Sequence, residues 1–167
     1  MNIYSQFRAH KDEFFEFDPH SPLTSEQKQT FSGLNYFDVN EELRFELEIA
    51  QFEDQKSIQM LTSTGDLRTF LRFGKVHFKV EGESASLTVF SNEHGFFIPF
   101  VDSLAGNETY GAGRYLDPEL NESGKLVLDF NLVYNPYCAY NEMYSCPIPP
   151  SENRLSVAIR AGEKNYK

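Results

Sequence analysis

The chain has 167 residues, a formal net charge of −10 and two cysteines. A length of this order suits one domain, 1–167, with a substantial core, and the acidic balance opposes binding to nucleic acid or anionic membrane surfaces. Two cysteines cannot build a disulfide framework, and neither a basic leader nor a membrane-length apolar run is seen, so a cytoplasmic location is expected.

Residues 2–17 predict an amphipathic helix. At about 100° per residue, Ile3, Tyr4, Phe7, Phe14 and Phe15 share one face. Lys11 falls in the middle of that face, so its ammonium must snorkel past the rings or meet a carboxylate. Asp18-Pro19 ends the helix, because the residue before proline is pushed out of the α region. The arm up to residue 40 carries a short helical turn at 24–31, with Thr24 or Ser25 as its cap.

From Leu43 onward the period becomes two. Leu43, Phe45, Leu47 and Ile49 alternate with Arg44, Glu46 and Glu48. Ile58 and Met60 follow, then the turn STGD, then Leu67, Thr69, Leu71 and Phe73 on one face. Val76, Phe78 and Val80 alternate with Lys75, His77 and Lys79. After the turn EGES come Leu87 and Val89, then GFFIPFVD (95–102), a glycine-rich connection, KLVLDFN (125–131), a long loop, and RLSVAIRAG (154–162). Roughly eight short strands separated by tight turns predict a mainly β fold. An open sheet of that size leaves long edges, so the expected form is an antiparallel meander over 41–167, closed or curled into a β-barrel, with the N-terminal helix packed on it.

Three places carry candidate chemistry. Asp129 and Asn131 interrupt the alternation of KLVLDFN, and a polar group on a half-buried strand needs a partner, either a ligand or an internal network. In ETYGAGRYLD (108–117), two glycines and Arg114 can approach an anion, with Tyr110 as a stacking wall. The alternative is a tight turn whose arginine pairs with Asp102 or Asp129. The loop 132–153 is a proline-stiffened lid holding Asn135, Cys138, Cys146, Glu152 and Asn153. Seven residues separate the cysteines and no histidine lies near, so no metal site is expected and the thiols read as packing groups.

The stretches RAHKDEFF, FSGLNYF, ETYGAGRYLD, LDFNLVYNPYCAY and CPIPPSENRLSVAIRAGEK together resemble, over nearly the whole chain, a bacterial and archaeal family known as domain of unknown function 1684. The resemblance brings no activity with it. It places emphasis on Arg8, Lys11 and Asp12, on Tyr110 and Arg114, on Asp129 and Asn131, and on Asn135, Cys138, Cys146, Glu152 and Asn153.

The resulting expectation is a pocket at the barrel mouth for a small polar or anionic molecule, held by Lys11, Tyr110, Arg114, Asp129, Asn131, Asn135, Glu152 and Asn153. An enzyme using the same pocket would take Asp129 or Glu152 as acid or base. A flavin or haem fits such a barrel only by analogy of fold, and no motif requires a cofactor. The remaining reading is an interaction or structural protein in which these polar residues pin the long loop to the sheet.

Overall fold

The computed structural model describes residues 2–166. Helix α1 (Ile3–Phe17) begins at Asn2, whose side chain accepts the Ser5 N–H, and ends at Asp18 in extended backbone. Helix α2 (Ser25–Thr30) is opened by a capping box between Thr24 and Gln27. Both follow the sequence expectation, including the choice of Thr24 as cap. No helix is long and apolar enough to cross a membrane among the described residues.

The remainder is mainly antiparallel β. The strands are β1 (Arg44–Leu47), β2 (Ala50–Gln51), β3 (Ser57–Leu61), β4 (Leu67–Val80), β5 (Glu83–Asn92), β6 (Gly95–Phe100), β7 (Arg114–Leu116), β8 (Glu119–Leu120) and β9 (Leu126–Asp129). They form two sheets, one in the order β1-β9-β8, the other β2-β4-β5-β6-β7 with β3 also paired to β4. The main core draws on both: Val76, Phe78, Leu87, Val89, Ile98 and Phe100 from the larger sheet meet Leu126 and Leu128 from the smaller, with Phe130 just beyond β9.

Neither sheet closes on itself, so the expected barrel is replaced by two open sheets among the described residues. The physical reason lies in the last segment, 154–162, which forms no ladder strand. It touches its neighbours through isolated bridges such as Val101 with Arg154, and its backbone groups are taken up by side chains.

A second departure sits inside β4. The register with β5 shifts between Arg72 and Gly74, a β-bulge that moves every later side chain to the opposite face. The two alternating runs, 67–73 and 76–80, are therefore one bent strand of 14 residues. The buried member of the first run is Phe70, packed with Met60 and Phe90, whereas Leu67 is 55% exposed. Gly74 sits at the bend because β2 crosses there. A Cβ at this position would lie 2.8 Å from Ala50 O and 2.7 Å from Ile49 Cγ2.

Candidate functional site

Most of the polar residues singled out in the sequence are buried and spend their hydrogen bonds on backbone. Arg114, on β7, is 1% exposed. Its Nη1 donates to Ala161 O at 2.6 Å and Glu163 O at 3.0 Å, and its Nη2 donates to Ile159 O at 2.9 Å and Asp102 Oδ2 at 3.2 Å. The same Asp102 oxygen accepts the Ile159 N–H at 2.7 Å. The pair thus stands where a neighbouring strand would, reading alternate carbonyls of the extended tail. Burial favours the neutral guanidine and lowers the Arg114 pKa, and Asp102 opposes that shift. The guanidinium has no face toward a cavity, in line with the pairing alternative and not with an anion anchor.

Three asparagines work alike. Asn153 Oδ1 accepts the Thr88 N–H, and its Nδ2 donates to Thr88 O and Pro99 O, tying the end of the loop to β5 and β6. Asn131 accepts from Asn40 N and donates to Asn40 O, holding the arm against the end of β9. Asp129 Oδ1 accepts from the backbone and side chain of Asn131, while Oδ2 accepts the Tyr4 hydroxyl at 2.7 Å with Arg44 Nε at 3.9 Å. Asn135 gives its N–H to Glu163 Oε2 and its amide to Lys164 O. Glu163, 1% exposed, also accepts the Tyr140 hydroxyl and pairs with Lys11 through Oε1. That carboxylate is the partner the apolar face of α1 demanded, and the Lys11 ammonium lies 4.9 Å from the Tyr134 ring centre as well. Glu152 is exposed and pairs with Arg72 at 3.0 Å, away from the other candidates.

An open site lies elsewhere on the loop. A cleft of about 650 Å³ runs between the β4–β6 face and the 132–153 segment. Its walls are rings: Phe70, Phe96 and Phe97 from the sheet, Tyr134, Tyr137 and Tyr144 from the loop, with Tyr115 between. Phe97 stacks on Phe70 at 5.2 Å and meets Tyr115 edge-on at 4.8 Å. Polar groups stand at the cleft's border. Arg68 donates to Ser145 O, His94 is exposed in the β5–β6 turn, and Asp117 accepts the Tyr134 hydroxyl at 2.6 Å. Crowding by the protein raises the Asp117 pKa, and the bond from Tyr134 partly reverses this. Asp117 and Tyr134 also border a second groove of about 550 Å³ under α1, where Tyr4 and Asp129 lie.

A model of the family described as "Protein of unknown function (DUF1684)" matches residues 29–164. The chain belongs to this family. The matched span contains all nine strands, the thiols and the cleft, and leaves α1 outside it. Among solved structures, the chain is similar to the solution NMR structure of an uncharacterized protein from gene locus rrnAC0354 of Haloarcula marismortui. The two share 36% identity with a TM-score of 0.71, over 96% of this chain and 91% of that one. No curated protein matches the chain.

The family's long loop also carries both cysteines, which are free and buried, and Cys146 forms part of the cleft wall. The Cys138 N–H points to Cys146 Sγ at 3.3 Å, and Tyr110 Oη lies 3.7 Å from Cys138 Sγ. Tyr110 is thereby placed beside the thiols, not beside Arg114's guanidinium. Sequence reasoning had the tyrosines of the loop but missed Arg68, Phe70, Phe97 and Asp117. The signal for Phe70 was the parity change across Gly74, which moves the buried face to even-numbered residues.

Proposed function

We propose that the chain binds a small, flat molecule in the aromatic cleft between β4–β6 and the 132–153 loop, with an anionic or accepting edge of that molecule turned toward Arg68. The observation that carries this reading is the wall of seven aromatic rings around a volume within the range of small-molecule sites, about 300–1,000 Å³. Rings offer stacking surface at little entropic cost, and a few convergent polar groups fix orientation. The cleft replaces the barrel mouth as the place of binding, and the loop is its wall. Arg114, Asn131 and Asn153 then serve the site by holding its walls and do not touch the ligand.

Acid–base chemistry in the same cleft is a second reading. It rests on Asp117, the cleft's carboxyl, which burial biases toward its protonated form and Tyr134 orients. Asp129 is saturated by internal bonds and Glu152 is held by Arg72, so neither is the preferred acid.

A panel of small aromatic carboxylates, titrated against the protein and followed by NMR, tests the binding reading. Shifts confined to Phe70, Phe97, Tyr115 and Tyr144 are expected, with affinity reduced about tenfold in Tyr144→Ala, within the range for losing an aromatic anchor. Shifts scattered over the surface, or an unchanged affinity in Tyr144→Ala, would refute it.

A further inference from the structure

The loop between the two cysteines does more than pack. Cys138 opens a 3₁₀ turn with Tyr137 and Ala139, and Cys146 returns to the same spot after the intervening turn. With an N–Cα bond of about 1.5 Å, the 3.3 Å contact from Cys138 N places Cys146 Sγ within roughly 5 Å of Cys138 Cα. Forming a sulfur–sulfur bond from that arrangement asks for side-chain rotation, not a rearrangement of the chain. The neighbours favour a thiolate on one sulfur only. The Cys146 thiol donates to Cys138, and Tyr110 and Ser63 add hydrogen bonds, which brings Cys138 down to about 6. Cys146 keeps its proton and is pushed upward. A thiolate beside a second thiol is the arrangement of a redox-active pair.

We propose that Cys138 and Cys146 form a peroxide-oxidisable pair in which Cys138 attacks and Cys146 resolves, closing the loop between them with a reversible disulfide. In the first step the Cys138 thiolate attacks one oxygen of hydrogen peroxide. The O–O bond breaks, Cys138 becomes a sulfenic acid and hydroxide leaves. In the second, Cys146 loses its proton and its sulfur attacks Cys138 Sγ, and the sulfenic oxygen leaves as water on taking up that proton. Two electrons pass from the sulfurs to the peroxide, and a dithiol reductant returns them. The sulfurs are only narrowly exposed, at 9% for Cys138 and 7% for Cys146, which admits an oxidant as small as peroxide. The bridge encloses Tyr144 and Ser145 of the cleft wall, and Tyr140, whose hydroxyl holds Glu163. This inference stands on the thiols alone and does not require a ligand in the cleft.

The test is intact mass and thiol counting on the folded wild-type protein exposed to excess hydrogen peroxide. Loss of both thiols is expected, with a mass lower by two hydrogens, a peptide joining Cys138 to Cys146, and full recovery on reduction. In Cys146→Ser a dimedone adduct accumulates on Cys138, whereas in Cys138→Ser the Cys146 thiol stays unreacted. Should either variant fail to fold, the wild-type protein quenched early with dimedone still reports which sulfur reacts first. Retention of both thiols at peroxide levels that oxidise the unfolded chain would overturn the proposal. So would a first adduct on Cys146, or a bridge only between separate molecules.

Discussion

Arg114 and Asp102 show how much a single side-chain pair is asked to do. Their contact lies in the interior at 1% and 2% side-chain exposure, and between them they satisfy one N–H and three carbonyls of the tail. Removing one charge leaves the other buried without its partner, at a cost of about 3–5 kcal/mol. Asp102→Asn is therefore expected to lose stability in that range in a denaturant melt at neutral pH. Glu152→Gln, which breaks only the exposed pair with Arg72, should change the midpoint by less than about 1 kcal/mol. Equal losses in the two variants would show that the tail does not depend on the buried pair.

The elements are held by special backbone positions and by short polar lashings. Gly162 ends the tail in the left-handed region, at φ +75°, and a Cβ there would lie 2.6 Å from Val133 O and 2.8 Å from Phe130 O. Gly162→Ala combines an unfavourable φ with a clash against backbone, so a loss of about 3 kcal/mol is expected in the same melt. A second lashing joins the β3–β4 turn to the loop. Asp66 accepts hydrogen bonds from Thr62, from Thr64 and from Ser145, and these hold its carboxyl well below the usual aspartate value of 3.8. A depressed folded pKa means that the contribution is complete above the unfolded value and is lost as pH falls through the folded one. On acidification below the ordinary aspartate range, amides 144–146 should exchange faster in the wild-type protein. In Asp66→Asn they should exchange fast already at neutral pH and respond little to acid over the same window. A loop equally protected in both proteins would remove Asp66 from this role.

For the whole molecule, the consequence is an unusual route to cohesion. Two open sheets share a core, while α1, the arm and the tail are attached by side chains in place of ladders. Lys11 on α1, Asn135 on the loop and Tyr140 all converge on Glu163 of the tail, and Phe15 packs edge-on against Tyr140 at 5.0 Å. Buried networks of this kind act as units. Hydrogen exchange should accordingly be slowest in β5, β6 and β9, with α1 amides near Phe15 protected together with residues 133–140. The exposed edge strands β2 and β8 should exchange fastest among the strands. Exchange of α1 at the rate of those edges would mean that the helix is only loosely applied.

The helix, its Asp18-Pro19 stop, the Thr24 cap and the antiparallel character of the rest depend on neighbours within a few positions, and they are legible in the residues of this chain. So was the demand of Lys11 for a carboxylate, because an ammonium amid Phe7, Phe14 and Phe15 is untenable alone. Which carboxylate answers it was not legible, since Glu163 lies 152 positions further on and meets Lys11 only when the tail crosses α1. The same holds for Asp129, Asn131 and Asn153. Local pattern identifies a polar group on a buried face, but the partner is supplied by whatever the fold brings opposite, and here it is mostly backbone. The open sheets follow from that substitution, because carbonyls of 159, 161 and 163 already bound to Arg114 have nothing left to offer a ladder. The cleft was decided at the same level: its rings come from β4, β6, β7 and the loop, and only their packing leaves the space between them.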